Sequence, residues 1–316
     1  MNMIWRSLKA NEYKMRHSRL LWIHILLPLM AAVVFNLYFF TAAWEEREAV
    51  ELYIQAVVIA FPLMIAIVIT LVYEADAEAG SFCMFHMLSD KKAKGHLGNL
   101  LALLFYGSVS SVLAVIGFAL LYRGGTGFVN GVQGSGLVGV SKLPMSFYVE
   151  ITALLLTVNI VSYLLQYMLC YTFGKGVSLG YGIITLLLGA LLYLGLGDRV
   201  WKWIPCSYGI RMVSYYFIVR TPVKDASLKY FKQYVQEDME NGAWMIAGMT
   251  IFLGIIFYLW GNKWEGNIKK KGYIPFFLLV YIYAFVKFSF CKEIKQHTNQ
   301  TINHNSSKYH THKRSG

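Results

Sequence analysis

Sorted into apolar and polar positions, the chain is a series of long uncharged runs separated by short charged breaks. Residues 20–43, 52–72, 97–121, 147–171, 177–196 and 243–260 form six such runs, and Glu150, near the start of the fourth, is their one acidic or basic residue. At 1.5 Å per helical residue each run can cross a hydrocarbon layer of about 30 Å once some tilt is allowed. The pattern predicts an all-α, polytopic membrane protein with six transmembrane helices. A seventh apolar run, 273–290, carries Lys287 near its end and fits either a crossing or a segment lying along the interface. Composition agrees: 57% of the 316 residues are hydrophobic and only 15% charged, too apolar for one soluble domain.

The charged breaks set an orientation. The arm 1–19 carries Arg6, Lys9, Lys14, Arg16 and Arg19 against Glu12, whereas the next break holds Glu45, Glu46, Glu48 and Glu51 against Arg47. By the positive-inside rule the amino terminus is cytoplasmic. Segment 73–96 is then cytoplasmic too, Lys175 lies in a tight cytoplasmic turn, and the basic run around Lys269 returns to the cytoplasm. The expected division is an arm 1–19, a six-span domain 20–260 with cytoplasmic segment 73–96 and outer loop 198–242, and an extension 261–316 ending in a disordered basic tail. The glycine-rich stretch RGGTGFVNGVQGSG from Arg123 reads as a mobile outer loop. The net charge of +12 is spread along the edges of the apolar runs, where bases orient and anchor spans in the lipid bilayer. That distribution argues against nucleic acid as a partner.

Reactive chemistry is scarce. Cys83, Cys170, Cys206 and Cys291 are dispersed, with no zinc or redox spacing, so no metal or cofactor is expected in this chain. Glu45, Glu46 and Arg47 superficially resemble the motif of an intramembrane protease, but they lie in an outer loop and no later span holds a histidine at depth. No enzymatic activity is expected. A secondary transporter needs ionisable groups within its spans; here the interior polar residues are His24, Asn36, Gln55, Asn159 and Gln166, which suit hydrogen bonds between helices. The chain also lacks a GxxxxGK[ST] loop. If it moves a substrate, the energy comes from a partner.

Two segments could meet partners. In YEADAEAGSFCMFHMLSDKKAKGH, from Tyr73, the residues Phe82, Phe85 and Leu88 recur at i, i+3 and i+6. Glu74, Asp76 and Glu78 precede this stripe and Lys91, Lys92 and Lys94 follow it, a charge order that suits a helix dipole. This reads as a cytoplasmic helix for a soluble partner, the plain alternative being an interfacial connector. In GLGDRVWKWIPCSYGIR, from Gly195, and just beyond it, Trp201, Trp203, Tyr208 and Tyr215 are candidates to touch a membrane-embedded substrate, the alternative being an aromatic belt. Ser178, Gly180, Gly182 and Gly189, with Gly176 before them, suit close helix packing, and Pro62 suits a kink.

The run from Tyr53 through 73–96 into the third span, with GLGD at 195–198 and Trp-Ile-Pro-Cys at 203–206, resembles the permease subunits of lantibiotic self-immunity ABC exporters, of the ABC-2 class. The resemblance covers residues 5–264 and favours the G-type subunit over the E-type. It implies that Glu74, Glu78, Gly80, Phe82, Phe85 and Leu88 belong to a coupling helix docked on a separate ATPase subunit, which holds ATP and magnesium. It further implies a second permease subunit, an antimicrobial peptide as substrate, and the plasma membrane of a Gram-positive bacterium. Segment 273–316 departs from the family pattern. The rival expectation is a membrane-embedded peptide-binding or sensor protein with no transport cycle.

Overall fold

Backbone N–H and C=O groups find no partner in hydrocarbon, so an isolated apolar run must satisfy them within one helix. In the computed structural model, which describes residues 3–16, 20–41, 44–78, 82, 92–133, 143–194, 201–220 and 226–264, every predicted span lies on a helix. Among the described residues there are eight α-helices and no strand: α1 (Met3–Arg16), α2 (Leu20–Thr41), α3 (Glu46–Glu78), α4 (Lys92–Gln133), α5 (Met145–Phe173), α6 (Lys175–Tyr193), α7 (Tyr208–Arg220) and α8 (Ala226–Lys263). Two 3-10 turns, Trp201–Trp203 and Pro205–Ser207, precede α7. The described residues all belong to one unit, Met1–Ile268. The seventh apolar run and the basic tail lie outside them.

Six helices, α2 to α6 and α8, are long and apolar enough to cross a membrane. Their burial separates centre from rim: 56% of the apolar window of α3 and 61% of that of α5 is buried, against 28% for α2, α6 and α8. The rim helices turn Leu26, Met30, Leu37, Ile184, Leu187, Ile251 and Ile255 outward. Exposed apolar surface costs roughly 25 cal/mol per Å² in water, so this belt fits a multi-pass protein surrounded by lipid.

Packing follows side-chain size. On the α3–α6 contact a Cβ on Gly182 would stand 2.6 Å from the Ala66 Cβ, so the expected small-residue contact is made there. Gly176 and Gly180 have open space around them instead. Helix α3 continues through Pro62. Away from α1, Tyr53 stacks on Phe118 with ring centroids 4.1 Å apart, and its hydroxyl donates to the Ala114 carbonyl at 2.9 Å. Of the interior polar residues, Asn36 reaches the Phe118 carbonyl and Gln166 accepts from Ser178 on α6, both across helices. His24 and Gln55 bond within their own helices.

Three segments outside the predicted spans are also helical. The stretch from Arg123 is helical as far as Gln133, and residues 134–142 lie outside the described set. Glycine costs a helix only about 1 kcal/mol each relative to Ala, less than a continuing helix can recover. The described residues of 198–242, expected as an outer loop, are largely helical, as α7 and the first half of α8. On α8, Gln233 donates to Glu237 and Gln236 to Glu240, i,i+4 pairs that support helix in a polar segment. Within the amino-terminal arm, Met3–Arg16 is a helix seated on α4.

Candidate functional site

Helix α1 places the first component of the site. A Cβ on Gly98 would lie 2.3 Å from the Ser7 Oγ, so the missing side chain is what lets α1 sit against α4. Ser7 donates to the Gly95 carbonyl, Asn11 and Met15 are buried beneath α1, and the next turn delivers Lys14 to the end of α3.

There Asp76 is buried among apolar neighbours. Ile65, Ile69, Val72 and Tyr73 form the inward stripe of α3, and Asp76 occupies its next position, 6% exposed. One oxygen receives Lys14 Nζ. The other accepts Tyr171 Oη at 2.5 Å and Asn99 Nδ2 at 3.1 Å. Asn99 also lies 2.9 Å from Tyr171 Oη, and His96 Nδ1 is 3.0 Å from Tyr167 Oη. Tyr167 and Tyr171 stack at 4.3 Å, with the His96 ring edge-on to both. Trp264, at the end of α8, donates to the Tyr171 carbonyl at 2.9 Å. Thus one carboxylate joins α1, α3, α4 and α5, and α8 closes over the ring stack. A buried charge needs such partners, since an unpaired carboxylate in an apolar setting costs several kcal/mol.

The connection from α3 to α4 begins at this joint. Phe82, with φ of 65°, donates its backbone N–H to the Asp76 carbonyl and packs against Tyr73, Tyr171 and Trp264, 7% exposed. It is therefore not on an outward stripe, which corrects its expected place on a partner-facing helix: its ring is used to cap the aromatic stack. Gly80, Phe85 and Leu88 lie outside the described residues. Glu78 is exposed, and Glu74 pairs with Lys175 at 2.7 Å. Glu74 and Glu78 share a face while Asp76, 200° round the helix, points inward. The turn holding Lys175 is as tight as expected, with Gly174 at φ 90° as the single residue between α5 and α6.

The opposite end is built around backbone groups and rim charges. Glu46 accepts from the Leu143 N–H and the Tyr148 hydroxyl, Arg47 donates to the Phe217 carbonyl at 2.7 Å, and Arg123 donates to the Leu143 carbonyl. Trp201, 1% exposed, lies over Gly242 and donates to Asp238, which also pairs with Lys202. Tyr208 is fully buried and donates to the Lys202 carbonyl. The Trp201 ring therefore holds the 3-10 segment to α8 and the Tyr208 hydroxyl ties α7 to that segment; both expected contact residues are buried within the chain, whereas Trp203 is exposed and Tyr215 half-buried. Glu150 accepts from Tyr216 at 2.8 Å and pairs with Arg220 at the rim. Burial, then the Glu150 hydrogen bond, pushes the Tyr216 phenol up to about 12, and burial pushes the Cys206 thiol up to about 11.

Among the described residues no group of three or more His, Cys, Asp or Glu could hold a metal ion. The fold and this polar joint define a helical bundle of the multi-pass membrane type. No family model, curated protein or solved structure matches the chain.

Proposed function

We propose that the chain is the permease subunit of an ABC exporter, of ABC-2 type and G-type character, that expels a cationic amphipathic peptide of the lantibiotic kind from its producer's membrane. ATP and magnesium act on a separate ATPase, and a second permease completes the pathway. The observation that carries this reading is the Asp76 joint. It stands where the connection 79–91 leaves α3 and ties α1, α3, α4 and α5 together, so a push on that connection would move four helices as one body. The spans hold no acidic or basic residue at depth for ion coupling, which favours a drive applied from outside the bilayer. By the positive-inside rule the bases of α1 favour the cytoplasmic side for the joint, where an ATPase would dock, and the reading takes the membrane to be the plasma membrane of a Gram-positive producer.

Co-purification tests the reading. The wild-type chain should bring down a stoichiometric ATPase from the producing cell. Phe85→Ala with Leu88→Ala should weaken that association by about tenfold or more, since two apolar side chains at a buried contact contribute about 2–4 kcal/mol. Its membrane abundance should stay normal. Peptide binding by the wild type without any ATPase partner would favour the sensor reading instead.

A further inference from the structure

Helix α8 is longer than a crossing requires. It runs Ala226–Lys263, about 57 Å at 1.5 Å per residue, whereas its uncharged run 243–260 spans about 27 Å and fills the hydrocarbon layer. Measured along the axis from residue 243, Tyr234 stands about 13 Å and Tyr230 about 20 Å outside that layer. The headgroup zone of one leaflet is about 5–8 Å deep, so with the uncharged run near the membrane normal both rings stand beyond it. Lipid anchoring accounts for Trp244 at the boundary but not for Tyr230 and Tyr234.

These rings are turned to the outside: Tyr230 is 78% exposed, Tyr234 66% and Trp244 79%. Positions 230, 234, 237, 241 and 244 share one helix face. Glu237 lies in the middle of that face and Glu240 beside it, both exposed, while Lys229 lies about 100° round the helix from Tyr230. Below Trp244 the face continues into lipid-facing Ile251 and Ile255. An outward strip that passes from aliphatic through aromatic to aromatic-and-acidic matches a peptide with an apolar side and lysines, because rings accept both apolar surface and cations, and the carboxylates pair with ammonium groups.

Building on the export reading, we propose that this face of α8 is the surface on which a cationic amphipathic peptide leaves the outer leaflet. The sequence pointed to Trp201, Trp203, Tyr208 and Tyr215 for this role; Trp201 and Tyr208 are buried, and the outer half of α8 offers the more extended exposed face. The test uses the full-length chain in phosphatidylcholine nanodiscs, which hold no anionic lipid, with a fluorescent synthetic peptide of Lys, Leu and Trp and a counterpart in which Glu replaces Lys. The basic peptide should bind saturably above protein-free discs. Tyr230→Ser with Tyr234→Ser should weaken binding about tenfold or more, and Glu237→Gln with Glu240→Gln several-fold. Wild-type binding no greater than to empty discs, equal binding of the acidic counterpart, or insensitivity to both face pairs overturns the proposal. So does a wild-type dimer that the tyrosine pair abolishes, which would give the face to a second copy. None of these variants touches the ATPase association, so that reading stands or falls separately.

Discussion

The two ends of the bundle differ in what their ion pairs join. At the α1 end the carboxylate of Asp76 is inside, 7% exposed at its side chain, with Lys14 brought over it and Tyr171, part of an aromatic stack, donating to it. At the far end the Glu150–Arg220 pair stays on the rim, with side chains 42% and 52% exposed, while the Lys202–Asp238 pair, 27% and 14% exposed, ties one 3-10 turn to α8 beside the Trp201 ring rather than joining four helices. A buried pair binds its helices into one body because no member can leave without stranding another's charge. A rim pair lets its helices part at little cost, since water replaces either partner. Under the proposed export reading, the difference suits an end that receives force and an end that opens.

The largest effect should come from breaking the joint. Lys14→Met leaves the Asp76 carboxylate buried with hydrogen bonds but no countercharge, and should lower stability by about 2–4 kcal/mol. Asp76→Asn should cost less, because Lys14, 27% exposed, can turn to water. Thermal unfolding in nanodiscs would read both, and equal small losses would show that the joint does not hold the helices. Next is Gly242→Val at the far end: a Cβ there already meets the Trp201 ring at 2.3 Å, so the ring must move, at about 1–3 kcal/mol. Trp201→Leu in the same chain should recover part of that loss, whereas a loss unrelieved by the smaller side chain would place the strain elsewhere.

The six crossings were legible because uncharged length is a one-dimensional signal, read without knowing what touches what. The joint was not. Lys14, Asp76, Asn99 and Tyr171 are separated by long stretches of chain, and Asp76 sits between Glu74 and Glu78 in what reads as one acidic patch. The available signal was register: Asp76 continues the inward stripe of Ile65, Ile69, Val72 and Tyr73. Trp201 and Tyr208 misled for the opposite reason. An aromatic-rich segment at a membrane boundary reads as surface, and only the contact with Gly242 reveals that the Trp201 ring is a packing element.

The smallest effects belong to the rim. Glu150→Gln removes one partner of an exposed pair and should cost about 0.5 kcal/mol or less at neutral pH, with little change in unfolding temperature. The rim should answer instead to alkali, through Tyr216. Its phenol titrates near 12 in the folded chain against about 10 when unfolded, so folding favours the protonated form. Below pH 10 both states keep the proton and the contribution is fully present. Between 10 and 12 the unfolded state ionises while the folded state does not, and stability falls with each step of pH until the folded phenol ionises as well. Tyr216→Phe has no proton to lose, so the difference between the two unfolding curves should be flat from pH 6 to 9 and shift above 10. A difference that moves already below pH 9 would mean that another group governs this end, and that the contrast between a locked end and a loose one has been drawn at the wrong residues.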